Sequence, residues 1–131
     1  MTLRYWIVAA GCLTACGRPA PRDPATLLPA RVAEKWQRQS LRSIPPAQSG
    51  IEHAWEANYD GAGNLTVDLY EARAPGTAFE MTQHWREAAD SVFFDKGRYF
   101  VVVKWQRADR QALPAFIREL QKELGSANGR D

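Results

Sequence analysis

The sequence has few of the residue types on which many small-protein functions depend. Its 131 residues include only two cysteines and two histidines, which leaves little material for a metal site. The formal net charge is only +2 and no basic tail is present, so the composition argues against a nucleic-acid partner. No apolar run is long enough to form a permanent membrane-spanning helix. The length allows one domain and excludes a multidomain enzyme.

The first fifteen residues have the layout of a secretory signal peptide. Arg4 supplies a positive charge, and a short apolar stretch begins at Ile7. Residues 13–16, Leu-Thr-Ala-Cys, resemble the lipobox of bacterial lipoproteins, in which the cysteine thiol receives diacylglycerol and the peptide is cut just before it. This resemblance implies a lipid on Cys16 and the loss of Cys12, so no disulfide would remain. The alternative is an ordinary signal peptide in which this cysteine is a coincidence.

The resemblance to lipoproteins also implies a location. Gly17 follows the cysteine, where an inner-membrane retention signal would have aspartate. We therefore expect an outer-membrane lipoprotein that faces the periplasm and has the membrane as a partner through its lipid anchor, the inner membrane being less favoured. Residues 16–26 are rich in proline and predict an extended tether. A single domain is then expected at 27–125, followed by a flexible tail at 126–131.

Alternating apolar and polar residues predict a β-sheet in that domain. Aromatic residues make up 11% of the sequence, which excludes a disordered chain. Two alternating runs flank a glycine-containing turn at 60–64 and predict a hairpin, and a second hairpin turns at 95–98. The last run is apolar on both faces, which favours a central position in the sheet. The predicted strands lie at 35–44, 53–59, 65–70, 92–94 and 99–103.

Two helices are predicted between and after these strands. Thr77 and Glu80 have the spacing of a capping box, and apolar residues follow at helical spacing as far as Trp85. The second helix is expected to run from Asp109, as its N-cap, to residue 124, with Gly125 as the C-terminal stop.

The order βββαββα predicts an α+β fold. We expect a two-layer sandwich in which a mainly antiparallel sheet of about five strands has both helices on one face. The helices would cover Leu65, Val67 and Leu69. The opposite face would mix polar and aromatic side chains, a character typical of docking surfaces. Tyr70 and Phe100 are therefore the candidate partner-binding residues.

Residues 55–124 resemble the core of an uncharacterised family of exported bacterial proteins. The motifs behind this resemblance describe strands and helices rather than a reactive site. The resemblance therefore implies a fold and an exported setting, and it implies no activity. The motifs are Thr-Val-Asp-Leu-Tyr-Glu at 66–71, an alanine-and-aromatic helix at 78–85, Gly-Arg-Tyr-Phe-Val-Val-Val at 97–103 and a helix at 109–124.

Catalytic and metal-binding patterns are weak. His84 lies one helical turn after Glu80, so the two side chains could share one face of the helix. Too few further ligands converge there for a metal site, which favours a surface histidine. No serine lies in a nucleophile elbow. Gly61 and Gly63 lie in a hairpin, whereas a phosphate-binding loop needs a following helix. The sequence thus predicts no catalytic residue, no metal and no cofactor.

Basic residues accompany a tryptophan in the first predicted strand. Lys35, Arg38 and Arg42 lie near Trp36, where they could contact anionic lipid or a polyanionic envelope polymer. The favoured interpretation is an edge strand whose charges protect it against aggregation.

The predicted function is that of a membrane-anchored, non-enzymatic accessory module that binds an envelope protein. The alternative is a periplasmic sensor or carrier of a small ligand, lipid or glycan, with a pocket between sheet and helices lined by Trp55, Phe79 and Trp85. A small envelope hydrolase is less favoured, because acids such as Asp68 and Glu71 are more often solvated residues of a sheet face.

Overall fold

The computed structural model describes residues 23–46 and 48–128. The predictions about the signal peptide, Cys16 and most of the tether lie outside these described residues. Three helices and six strands follow one another along the chain. They are α1 (Pro24–Leu27), β1 (Arg31–Val32), β2 (Trp36–Ile44), β3 (Ile51–Gly61), β4 (Gly63–Ala72), α2 (Pro75–His84), β5 (Ser91–Lys96), β6 (Tyr99–Ala108) and α3 (Ala112–Asn128).

All six strands form one antiparallel sheet in the order β1-β2-β3-β4-β6-β5. The α+β fold with a mainly antiparallel sheet is thereby confirmed, and each of the five predicted strands corresponds to one of β2 to β6. The sixth strand, β1, has two residues and pairs with the start of β2, where Val32 lies opposite Trp36. A strand this short is missed in the sequence because an alternating pattern needs at least four residues to be recognised.

One face of the sheet packs against α3 and α1, and we call it the closed face. Phe116 of α3 lies edge-on against Trp36 and Tyr59, with ring centroids 5.7 and 5.1 Å apart. The Tyr59 hydroxyl donates a 2.7 Å hydrogen bond to the Pro29 carbonyl, and burial raises the pKa of Tyr59. Burying each large apolar side chain contributes about 1.5–3 kcal/mol. Strand residues of this cluster are Val32, Trp36, Trp55, Ala57, Tyr59, Leu65, Val67, Leu69, Tyr99, Val101 and Val103.

Helix α2 packs on the opposite side of the sheet, so the prediction that both helices share one face is wrong. Phe100 and Val102 of β6 point away from the side occupied by Val101 and Val103. All four side chains are buried, so β6 needs a cover on each side. Helix α3 supplies one cover and α2 the other. The second cluster comprises Ile51, Ala72, Ala78, Met81, Phe100 and Val102.

The start of the domain replaces part of the predicted tether. Residues 24–27 form α1 rather than an extended spacer, and the Asp23 carboxylate caps this helix by accepting a 2.9 Å hydrogen bond from the Ala25 N–H. Leu27 and Leu28 are buried in the cluster of the closed face. Apolar burial therefore outweighs the extended preference of the neighbouring prolines.

The last helix also differs from its predicted limits. The Asp109 carboxylate accepts a 2.8 Å hydrogen bond from the Gln111 N–H, and α3 itself begins at Ala112. The helix continues through Gly125 to residue 128, so the predicted stop is wrong and the predicted tail is partly helical. A Cβ atom at Gly125 would lie 3.0 Å from Cε of Lys96. Glycine here gives room for a side chain of β5 rather than ending the helix.

The start of α2 does not use the predicted capping box. The helix begins at Pro75, whose missing N–H costs nothing at a first helical position. Ala74 is the N-cap and makes no side-chain capping bond. Thr77 consequently lies inside the first turn, so the capping role predicted for Thr77 with Glu80 is wrong.

The backbone geometry at the tip of the β3–β4 hairpin requires glycine at positions 61 and 63. Gly61 and Gly63 have φ values of 150° and 138°, a region that other residues rarely adopt. A Cβ atom at Gly61 would lie 1.8 Å from the Lys35 carbonyl oxygen, and one at Gly63 would lie 2.1 Å from that of Arg107. The two glycines therefore let the hairpin tip fit between the β1–β2 turn and the end of β6. This agrees with the prediction that they serve turn geometry.

Candidate functional site

Helix α2 covers only part of its side of the sheet, and we call the remainder the open face. The helix packs over one end of β4, β6 and β5. The polar part of the open face is formed by alternate residues of β2, β3, β4 and β6. These residues are Ser40, Arg42, Glu56, Asn58, Thr66, Asp68 and Lys104.

A row of hydroxyl and amide side chains crosses three strands of the open face. Asn58 lies opposite both Ser40 and Thr66 in the strand register. Its Nδ2 donates a 2.8 Å hydrogen bond to Oγ of Ser40, and its Oδ1 accepts a 2.8 Å bond from Oγ1 of Thr66. These bonds hold the amide in one orientation, which leaves one N–H and one lone pair of Asn58 for a further partner.

A second set of side chains, which we call the charge ladder, contains four ionisable groups. Arg42, Glu56 and Asp68 lie opposite one another, and Lys104 reaches Asp68 diagonally from the position opposite Thr66. Nη2 of Arg42 lies 2.6 Å from Oε1 of Glu56, and Nζ of Lys104 lies 2.9 Å from Oδ2 of Asp68. Glu56 and Asp68 are direct cross-strand neighbours. The order across the sheet is therefore cation, carboxyl, carboxyl, cation, with the two carboxyl groups side by side in the middle.

Burial and hydrogen bonding shift the pKa values of the ladder in different directions. Desolvation raises the pKa of Asp68 against the opposing effect of Lys104, and the nearby Glu56 carboxyl raises it further. The hydrogen bond from Arg42 lowers the pKa of Glu56. The hydrogen bond to Asp68 raises the pKa of Lys104. Burial and the neighbouring Asp68 carboxyl raise the pKa of Tyr70. Such a concentration of shifted groups is typical of functional sites, although structural ion pairs produce it as well.

A groove of about 440 Å³ lies beside the ladder at strands β3, β4 and β6. Its volume is in the range of small-ligand sites. Tyr59, Leu65 and Trp105 contribute to its lining, but these residues also pack against the closed-face cluster. The other residues that line the groove are all polar, so the groove suits hydroxyl, amide and charged groups of a ligand better than an acyl chain. They are Asn58, Asp60, Asn64, Thr66, Lys104 and Gln106.

The two predicted partner-binding residues have different positions. Phe100 is 0% exposed, lying under α2 with its ring centroid 5.0 Å from that of Trp85, so its prediction as a surface contact is wrong. Tyr70 is half-buried and is the next residue after Asp68 whose side chain lies on the same face of β4. Its ring centroid is 6.0 Å from that of Phe100. Tyr70 therefore joins the aromatic cluster under α2 to the open face, whereas Phe100 belongs to the core.

The aromatic pocket predicted between sheet and helices is not formed. Trp55 belongs to the closed face and stacks on His53 at 5.7 Å, whereas Trp85 packs on the other side of the sheet. Phe79 is 54% exposed on α2. The sheet separates Trp55 from Trp85, so the prediction of a ligand cavity lined by all three residues is wrong.

The basic residues near Trp36 are not grouped around its ring. Trp36 is 1% exposed on the closed face. Arg38 donates a hydrogen bond to the Leu28 carbonyl, and Arg42 is held by Glu56 on the open face. These cations therefore serve different parts of the fold rather than a single anionic site.

Within residues 23–46 and 48–128, no three or more His, Cys, Asp or Glu side chains are grouped so that they could hold a metal ion. None of the helices in this part of the chain is long and apolar enough to cross a membrane.

No family model, curated protein or solved structure matches this chain. The resemblance of residues 55–124 to a family of exported proteins therefore stays a prediction, and the site is interpreted from its own geometry.

The pairing of Glu56 with Asp68 was missed in the sequence, although a signal for it exists. The two residues lie at equal distances on either side of Ala62, the centre of the predicted hairpin. A hairpin with this centre places them opposite each other and on one face. The same reasoning does not place Arg42 and Lys104 beside this pair. Their positions depend on the registers of β2 with β3 and of β4 with β6, and these strands are joined by longer connections.

Proposed function

We propose that this domain is a non-enzymatic binding module that a lipid on Cys16 holds at the cell envelope, and that the open face receives an envelope protein. The observation that carries the proposal is the uncovered polar half of the sheet, with its fixed amide row, charge ladder and adjoining groove. A fold that needed this surface only as a solvated exterior would not require its side chains to be held in register. Pre-positioned donors, acceptors and charges favour recognition of a complementary surface.

The arrangement of the carboxyl groups supports a binding role over hydrolysis. Glu56 and Asp68 are direct cross-strand neighbours, and each also contacts a cation. His53 and His84 are exposed on β3 and α2, away from this pair. Both carboxyl groups of the pair are already held by ion pairs, which favours a binding role over hydrolysis.

Site-specific crosslinking in intact cells tests this proposal. A photoreactive amino acid would replace Gln106, which lines the groove, and in a matched variant it would replace Lys122, which is exposed on α3. We expect one defined envelope protein to be captured from position 106 and not from position 122. Cys16→Ser should abolish that capture by removing the anchor. Equal labelling from both positions, or capture of abundant neighbours only, would contradict the proposal.

The groove favours a second candidate, a carrier or sensor of a small polar ligand. Its volume of about 440 Å³ and its amide and hydroxyl lining would suit a glycan fragment. Titration of the full chain in detergent with soluble envelope glycan fragments would test this candidate by NMR. Shifts confined to Asn58, Asn64 and Thr66 would support it, and unchanged spectra at millimolar glycan would exclude it.

A further inference from the structure

The centre of the charge ladder contains a polar atom whose bonding is incomplete. Asp68 is only 7% exposed. Its Oδ2 contacts Lys104 at 2.9 Å, whereas Oδ1 is covered and, among the described residues, makes no hydrogen bond to a donor nitrogen or hydroxyl. A buried carboxylate oxygen without a partner costs about 1–3 kcal/mol or more. The fold therefore needs some group to satisfy Oδ1.

The neighbouring carboxyl group is the one placed to do so. Oδ1 of Asp68 is covered by protein atoms, so bulk solvent does not contact it in this fold. Glu56 lies directly opposite Asp68 on β3, and its carboxyl group is close enough to raise the pKa of Asp68. Two ionised carboxylates at this separation would repel each other, whereas one proton between them provides the missing donor.

We propose that Glu56 and Asp68 form a proton-binding site that holds one proton between the two carboxyl groups across β3 and β4. With the proton bound, Arg42 and Lys104 face a single negative charge, and the ladder has a net charge of +1. Without it, the two cations face two carboxylates and the ladder is neutral. The proton therefore sets the charge at the centre of the open face, whether or not that face binds a partner.

The groups around the pair come from every neighbouring element. Arg42 faces it from β2 and Lys104 from β6, and the Tyr70 phenol adjoins it on β4. At the level of Asp68, β6 and β5 contribute the uncharged residues Val102 and Phe93. Trp85, which directly follows α2, packs against Tyr70.

The pKa directions agree with a shared proton. The pKa of Asp68 is raised, chiefly by burial, and that of Glu56 is lowered, chiefly by Arg42. Divergent values of this kind are those of a coupled pair that releases its protons in two separate steps.

Carboxyl NMR of the full chain in detergent, with ¹³C-labelled Asp and Glu side chains, tests the site directly. We expect the pair to titrate in two steps separated by more than about 1 pH unit. In Glu56→Gln, Asp68 should titrate in a single step and at lower pH than the upper step of the wild type. Glu80→Gln, on the exposed surface of α2, is the matched control and should leave both steps unchanged. Independent single steps for both residues, with Asp68 unaffected by Glu56→Gln, would overturn the proposal.

Stability provides a second readout that does not depend on assigning the carboxyl signals. A raised pKa in the folded state contributes stability at low pH, and this contribution is lost as the pH rises through the folded value. The unfolding free energy of the wild type, relative to that of Asp68→Asn, should therefore fall as the pH rises through the upper step. A difference that increases over the same range would contradict a shared proton. Should Asp68→Asn not fold, the titration of Glu56→Gln decides the question alone.

Discussion

The closed and open faces are two sides of the same strands, yet they have opposite chemistry. On β3, Ala57 and Tyr59 point into the cluster under α3, whereas Glu56 and Asn58, which alternate with them, point to the open face. The period-two alternation of a strand produces this separation without any change of backbone. One side can therefore supply the stability of the domain while the other remains available for polar chemistry.

The energetic scales of the two faces differ accordingly. Each large side chain buried on the closed face contributes about 1.5–3 kcal/mol, whereas an exposed hydrogen bond or ion pair on the open face contributes about 1 kcal/mol or less. The amide row and the exposed Arg42–Glu56 ion pair are thus weak contributors to folding. Their regular arrangement is better explained by a role in specific binding. Substitutions on the closed face should therefore lower the stability of the domain, whereas those on the open face should mainly affect binding.

The largest effect is expected from Phe116→Ala at the centre of the closed face. The side chain is 0% exposed and packs against two other aromatic rings. Its removal should lower the free energy of unfolding by about 3–5 kcal/mol, as measured by chemical denaturation. Phe79→Ala, which removes a 54% exposed ring from α2, is the control and should cost far less. Equal losses would show that the closed face is not the main core.

Phe100→Ala should have the next largest effect, because this residue lies in the smaller cluster under α2. A cluster near the edge of the fold can collapse more readily around a cavity, so we expect a loss of about 3 kcal/mol, near the lower limit for a buried phenylalanine. The half-buried Tyr70 provides the comparison, and Tyr70→Ala should cost less. A Phe100→Ala variant that kept full stability but lost its partner would restore Phe100 as a contact residue.

Residue patterns predicted the strands well, because alternation and turn chemistry are local signals. The glycine-containing turn at 60–64 and the apolar run at 99–103 correctly predicted two hairpins and the sheet between them. The side on which each helix packs is not a local property. An apolar strand such as β6 shows that both sides need covers, but not which helix supplies each cover.

The incorrect surface assignment of Phe100 has the same origin. Its position in the alternation correctly places it opposite Val101, on the side away from α3. That side was expected to be open because both helices were expected on the other. Once α2 occupies it, the same residue becomes core. The polar part of the site was more accessible to prediction, since the hairpin centre alone pairs Glu56 with Asp68.

Gly61→Ala tests the hairpin tip that aligns both faces. At φ 150° an alanine is strained by about 1–3 kcal/mol, and its Cβ atom would overlap the backbone carbonyl of Lys35. We expect a total loss of about 2–3 kcal/mol in thermal or chemical unfolding, with the new contact relieved by a shift of the tip. Gly76→Ala is the control, because a Cβ atom there meets no atom within 4 Å. Similar stabilities for the two variants would show that the close approach at Gly61 is unimportant.

The smallest effect is expected from Arg42→Gln on the open face. The Arg42 side chain is 67% exposed, so screening by solvent limits the loss at neutral pH to about 0.2–1 kcal/mol. Because Arg42 lowers the pKa of Glu56, its contribution is present above the ordinary carboxyl pKa and is lost as the pH falls through the folded value. The difference from wild type should therefore disappear in acid and shrink in high salt. Arg118→Gln, on the exposed surface of α3, should show neither dependence. A loss as large as that of Phe100→Ala would mean that the open face carries stability as well, and the division of labour between the two faces would fail.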